Sequence, residues 1–81
     1  MITGHVKILI QPNVLDVQGQ AVKDSLKHMG FDTIESIRVG KLIEVVMRDG
    51  DEEIVKSKLN DMSEKLFANV VIEDFEIEIR K

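Results

Sequence analysis

Two cations flank a glycine in Arg38-Val39-Gly40-Lys41, and they are the side chains here best suited to meet an anion. Held at a turn, a guanidinium and an ammonium can pair with a phosphate or with partner carboxylates. A solvated turn tip is the plainer use of the same residues. The other chemical groups point away from catalysis. His28 falls near the end of a helical stretch, where a cation suits the helix C-terminus. His5 has no ligand neighbours at metal spacing, so no metal site is expected. The acidic pair Glu73-Asp74, and the alternating Glu76 and Glu78, look like the wet side of a strand. A carboxylate pair doing acid–base work would need a pocket. There is no cysteine, hence no thiolate nucleophile, disulfide or cysteine metal site. Neither a Walker-type loop nor a GxGxxG stretch occurs. No catalytic residue is assigned.

Bulk properties narrow the classes further. Eighty-one residues make one domain, 1–81, with a single modest core. A chain this short buries only about 60–65% of its unfolded surface, so a partner could add stability. The net charge of −4, with acids and bases intermixed, argues against a nucleic-acid backbone as partner. Three Phe, without Trp or Tyr, supply no base-stacking platform. No basic segment leads into a long apolar run at the N-terminus, and no apolar run nears the roughly 20 residues that span a bilayer. A soluble cytoplasmic protein is expected.

The elements that position these groups follow from periodicity. His5 to Gln11 alternates apolar and polar residues as a half-buried strand does, until Pro12-Asn13 breaks it. Asp16 is placed to cap a helix whose face is Val22, Leu26 and Met29. Gly19 in the first turn of that helix is anomalous on propensity, and signals either fraying or a close backbone approach. Gly30 reads as a left-handed C′ residue, with Phe31 at C″ and Leu26 at C3 forming a Schellman ending. Thr33 to Val39 reads as a strand, turning at Gly40-Lys41 into a second strand through Met47. A bulged three-residue turn keeps Ile37, Val39, Ile43, Val45 and Met47 on one face. Asp49-Gly50-Asp51 ends that strand and offers Asp51 as the second N-cap. Val55, Leu59, Met62 and Leu66 form the clearest helical stripe, Asp61 and Lys65 an i,i+4 pair, and Asn69 a C′ position. Phe75 to Arg80 alternates as the last strand.

The order β-α-β-β-α-β predicts an α+β, ferredoxin-like antiparallel sheet with both helices on one face. Nothing remains to cover the other face. Leu9, Leu42 and Val46 point that way, either as ordinary surface residues or as a patch hidden in a dimer or tetramer.

Four segments together resemble one family over nearly the whole chain. They are Val14-Leu-Asp-Val-Gln-Gly19, Gly30-Phe31, Glu35-Ser-Ile-Arg-Val-Gly-Lys41 and Glu64-Lys-Leu-Phe-Ala-Asn-Val-Val-Ile-Glu-Asp74. This pattern is similar to PurS, the small subunit of bacterial and archaeal phosphoribosylformylglycinamidine (FGAM) synthase. The family often has proline where this chain has Val17 and Val70. At Val17 a proline would occupy N1 and pre-set the helix, so the departures touch local geometry and no proposed chemical group.

The resemblance implies a non-catalytic, dimeric subunit of an ATP-dependent glutamine amidotransferase ligase in de novo purine biosynthesis. The large synthetase subunit would use ATP and magnesium, a glutaminase subunit would release ammonia, and the small subunit would join them and help ammonia pass. No cofactor is expected on this chain. Arg38, Gly40 and Lys41 are the first candidates for partner or anion contact; Asp16, Gln18 and Gly19 are added on resemblance. Two other functions use the same topology. A small-molecule-sensing regulatory domain would bind an amino acid or nucleotide at loop glycines. An acylphosphatase-like enzyme needs an arginine in the loop after the first strand, and Gln11-Pro12-Asn13 has none.

Overall fold

The computed structural model describes residues 1–48 and 50–80; Asp49, read above as part of a strand stop, lies outside them. Three strands and two helices follow the order β1 (Ile2–Ile10), α1 (Val17–His28), β2 (Gly40–Met47), α2 (Glu52–Met62) and β3 (Glu73–Arg80). A π-helical turn, Ser63–Phe67, extends α2. The sheet is antiparallel in the order β2-β1-β3, so β1 is central and β2 and β3 are edges. This is a ferredoxin-like α+β fold.

Strand parity sorts the residues as period-two alternation requires. On one face Val6 pairs with Ile43 and Ile77, and Gly4 with Val45 and Ile79. Over this face lies the core: Val6, Ile8, Val55, Leu59 and Ala68 are buried, with Ile43, Val45, Met47, Met62, Phe67 and Phe75 packed around them. A Cβ on Gly4 would come within 2.1 Å of Leu59 Cδ1, so the missing side chain is what lets α2 approach β1. Ser63, fully buried, donates its hydroxyl to the Leu59 carbonyl at 2.7 Å and leaves no orphaned polar atom. The opposite face carries the rows Thr3–Val46–Arg80, His5–Glu44–Glu78 and Lys7–Leu42–Glu76. Leu42 is 62% exposed, Val46 54% and Leu9 37%, so all three lie on the uncovered face, as expected.

Both N-caps form. Asp16 accepts from the Gly19 N–H at 2.9 Å, and Asp51 from Ile54 N–H at 2.9 Å. The Schellman ending also forms: Gly30 has φ +100°, Phe31 N–H reaches the Leu26 carbonyl at 3.0 Å and Gly30 N–H the Lys27 carbonyl at 3.2 Å. Pro12 and Asn13 sit inside a turn closed by Val14 N–H donating to Gln11 O at 3.0 Å.

Four expectations need correction. First, 33–39 is not a strand and there is no hairpin at Gly40-Lys41 among the described residues. Side chains of the first helix and its cap hold that backbone instead: Lys23 Nζ donates to Glu35 O at 2.6 Å and Val39 N–H donates to Asp16 Oδ2 at 2.7 Å. Second, only α2 packs on the sheet. α1 makes marginal contact with it and buries no residue but Gly19. The molecule measures 48 × 26 × 14 Å with a radius of gyration of 15.9 Å, against about 12 Å for a compact chain of this length. Third, Gly40 is no turn residue. It opens β2 opposite Leu9, where a Cβ would lie 2.1 Å from the Ile8 carbonyl oxygen. Fourth, Asn69 is no left-handed C′, because no described non-glycine residue has positive φ. Its side-chain oxygen accepts from Val71 N–H at 3.2 Å and shapes the turn into β3.

Candidate functional site

Where β1 ends, three chain segments meet: the start of α1, the start of β2 and the start of β3. They enclose a cleft of about 380 Å³, whose walls include Ile10, Leu15, Val17 and Val39 and whose polar lining is Asp16, Gln18, Lys41 and Glu73. Four of the predicted contact residues, Asp16, Gln18, Gly40 and Lys41, therefore share one site. Gly19 and Arg38 are not among its lining residues. Arg38 lines a neighbouring cleft with Lys7, Leu9, Pro12 and Glu76.

Asp16 organises the cleft. One carboxylate oxygen closes the first turn of α1 through Gly19 N–H, and the other takes Val39 N–H just before β2. The Gly19 and Val39 N–H donors, in that order, favour the ionised form and hold its pKa below the usual carboxylate value, against a smaller opposing effect of desolvation. Gly19 is required here because a Cβ would stand 2.3 Å from the Ile37 carbonyl oxygen and 2.7 Å from Asp16 Oδ2. The anomaly on propensity marks a close backbone approach, not fraying.

The two cations also support backbone. Arg38 Nη1 donates to the Ile10 carbonyl at 3.2 Å, and Lys41 Nζ to the Phe67 carbonyl at 3.4 Å. Each keeps further N–H donors for a partner. Glu73 Oε1 accepts from Asn69 N–H at 2.7 Å. Thus the charged groups of the cleft already serve the fold, while its walls are apolar. Leu15 and Val39 had not been read as site residues from sequence, and Glu73 had been taken for the wet side of a strand. Gly19 was the one signal that could have led to Val39, since a glycine in a helical turn implies a chain crossing it.

The histidines take structural roles. His28 Nδ1 donates to the Asp24 carbonyl at 2.8 Å at the end of α1, and His5 Nε2 pairs with Glu44 at 2.8 Å on the open face. Glu78 is bound by Lys7 at 3.3 Å and Arg80 at 2.7 Å, and Lys7 is the main cause of its lowered pKa. No group of three or more metal-ligating side chains occurs among the described residues. Nor is any described helix long and apolar enough to cross a membrane.

The model of the family "PurS: phosphoribosylformylglycinamidine (FGAM) synthase" matches residues 3–81. The chain belongs to the PurS family. It is 36% identical over 75 residues to the FGAM synthase subunit PurS of Synechocystis, covering 93% of this chain and 75% of that one. Against PurS of Methanocaldococcus jannaschii it is 33% identical over 81 residues, covering 100% and 98%. The crystal structure of that M. jannaschii PurS superposes with a TM-score of 0.89. PurS of Bacillus subtilis gives 0.88 at 33% identity, covering 100% of both chains. Both superpositions take in the whole of this chain, α1 and the sheet included. As a PurS chain it is a subunit of FGAM synthase, in purine biosynthesis.

Proposed function

We propose that this chain is a non-catalytic bridging subunit. As a dimer or tetramer in the cytoplasm it joins the glutaminase and synthetase subunits of FGAM synthase and assists ammonia transfer between them. ATP and magnesium are used by the synthetase, and this chain holds no cofactor of its own. The observation that carries the reading is the position of α1. Its apolar side chains Val17 and Val22 are exposed, and it leaves the core-side residues Ile43, Val45 and Met47 of β2 only half covered. A lone copy thus leaves apolar surface on both the helix and the strand, as a subunit waiting for partners does.

A second copy covers these surfaces, with Leu9, Leu42 and Val46 on the open face as the contact that extends a dimer to a tetramer. The cleft at Asp16, Gln18, Gly40 and Lys41, with Gly19 and Arg38 beside it, meets the unlike subunits through spare donors and apolar walls. Sedimentation of the chain alone, and mixed with the two purified subunits, tests this. The expected result is an even homo-oligomer that shifts to a larger species with the subunits. Val46→Lys should lower its order while helical content is kept. A monomer at every accessible concentration would refute the self-association.

A further inference from the structure

Glu44 stands between Leu42 and Val46 on the open face of the sheet, so anything that covers those two side chains covers a carboxylate with them. Burying that charge is costly unless a cation goes with it. The permanent cations of the neighbouring rows are already committed: Lys7 and Arg80 both bind Glu78, at 3.3 and 2.7 Å. Among the described residues Glu44 has one ion-pair partner, His5, whose Nε2 lies 2.8 Å from its Oε2. The His5 side chain is 16% exposed before any partner arrives, while that of Glu44 is 62% exposed.

Imidazole is the side chain whose charge ordinarily changes between pH 5 and 8. In its neutral form an Nε2–H can still donate to Glu44, but it brings no charge. In its cationic form it neutralises the carboxylate as both leave water. The charged groups facing His5 come from the three strands alone: Lys7 beside it on β1, Glu44 on β2, and Glu76, Glu78 and Arg80 on β3. With Asp74 at the end of β3, the face carries two permanent cations against four acids. Bringing two such faces together is opposed by like charge, and each proton taken up by His5 lessens that opposition. A face that holds both signs of charge can also be complementary to its own copy turned about a two-fold axis.

We propose that the His5–Glu44 pair makes the open face a proton-dependent contact with a second copy of this chain. The contact forms when His5 is charged and loosens as it loses its proton. The inference rests on the reading of this face as the surface that extends a dimer to a tetramer, and it adds what controls that step. Because the associated state favours the protonated imidazole, assembly takes up protons, and its constant rises as pH falls through the histidine range. An isologous contact contains two copies of His5, so the slope can reach about two decades per pH unit.

The test is sedimentation of the full chain at pH 7.5 and pH 6.0 at one ionic strength, diluted through the midpoint of the association. The constant for the dimer-to-tetramer step should be about tenfold or more higher at pH 6.0. His5→Gln should lose that rise while keeping the parent's helical content; His28, on α1, remains in this variant and serves as the internal control. Glu44→Gln should associate more tightly than the parent at pH 7.5 and gain nothing at pH 6.0, since no carboxylate then needs neutralising. A parent constant that is equal at the two pH values would overturn the proposal, as would a rise that persists in His5→Gln. If the parent never exceeds a dimer at either pH, the tetramer reading itself fails and takes this one with it.

Discussion

Replacing Gly19 by alanine sets two physical effects against each other. In a helix interior alanine is better than glycine by about 0.5–1 kcal/mol, so propensity alone expects a stabilised protein. The structure reverses the sign. The new Cβ would stand 2.3 Å from the Ile37 carbonyl oxygen, whereas ordinary contact starts at 3.4 Å, so backbone must retreat by 3.4 − 2.3 = 1.1 Å. Ile37 cannot move alone, because Val39, two residues on, is fixed to Asp16 at 2.7 Å and leads directly into β2. Overpacking of this kind costs about 1–3 kcal/mol. The net expectation is a loss of roughly 0.5–2 kcal/mol after the propensity gain is subtracted. At about 4–8 °C per kcal/mol for a domain of this size, the melting temperature should fall by several degrees. Calorimetry at one fixed protomer concentration is the assay, because self-association makes Tm concentration-dependent. A variant that melts at or above the parent temperature would refute the claim that the 37–39 segment is locked against α1.

Two further substitutions separate strain from charge. Gly30→Val should cost on the order of 1–2 kcal/mol through backbone strain alone, since φ is +100° and a Cβ would meet nothing within 4 Å; unchanged melting would remove the Schellman assignment. Asp16 has a folded-state pKa below its ordinary 3.8, so its stabilisation is present above that value and lost as pH falls through the folded pKa. The parent should therefore be more stable than Asp16→Asn at pH 6, with the gap closing toward pH 3; Glu78, shifted in the same direction, acts equally in both proteins and drops out of the difference.

Local rules were legible in the chain wherever cause and effect lie within a few residues. Asp16, Asp51 and the Leu26-Gly30-Phe31 ending needed only capping geometry, and the sorting of Leu42 and Val46 from Ile43 and Val45 needed only parity. What sequence could not give depends on distant segments. Thr33 to Val39 alternates like a strand, but Asp16 and Lys23 took its backbone groups before any sheet edge could. Leu66 fits the helical stripe, yet one inserted residue in the π turn sends it to solvent. Gly40 signalled a turn, and its real constraint is the Ile8 carbonyl on the neighbouring strand. Of the candidate site, sequence named Asp16, Gln18, Gly40 and Lys41 but gave no sign that they share a cleft with Glu73. Nor could a single-chain reading tell that α1 would stand away from its own sheet.

The bridging role predicts a particular pattern of rates. FGAM formation by synthetase and glutaminase should be measured with glutamine, and separately with ammonium, each with and without this chain. Alone, the chain should neither hydrolyse glutamine nor turn over ATP. With it, the glutamine-driven rate should rise strongly while the ammonium-driven rate changes little, because ammonia from solution needs no passage between subunits. The account therefore predicts a higher ratio of glutamine-driven to ammonium-driven rate when the chain is present. An equal ratio with and without it would contradict the coupling role, and would favour a regulatory binding domain on the same fold.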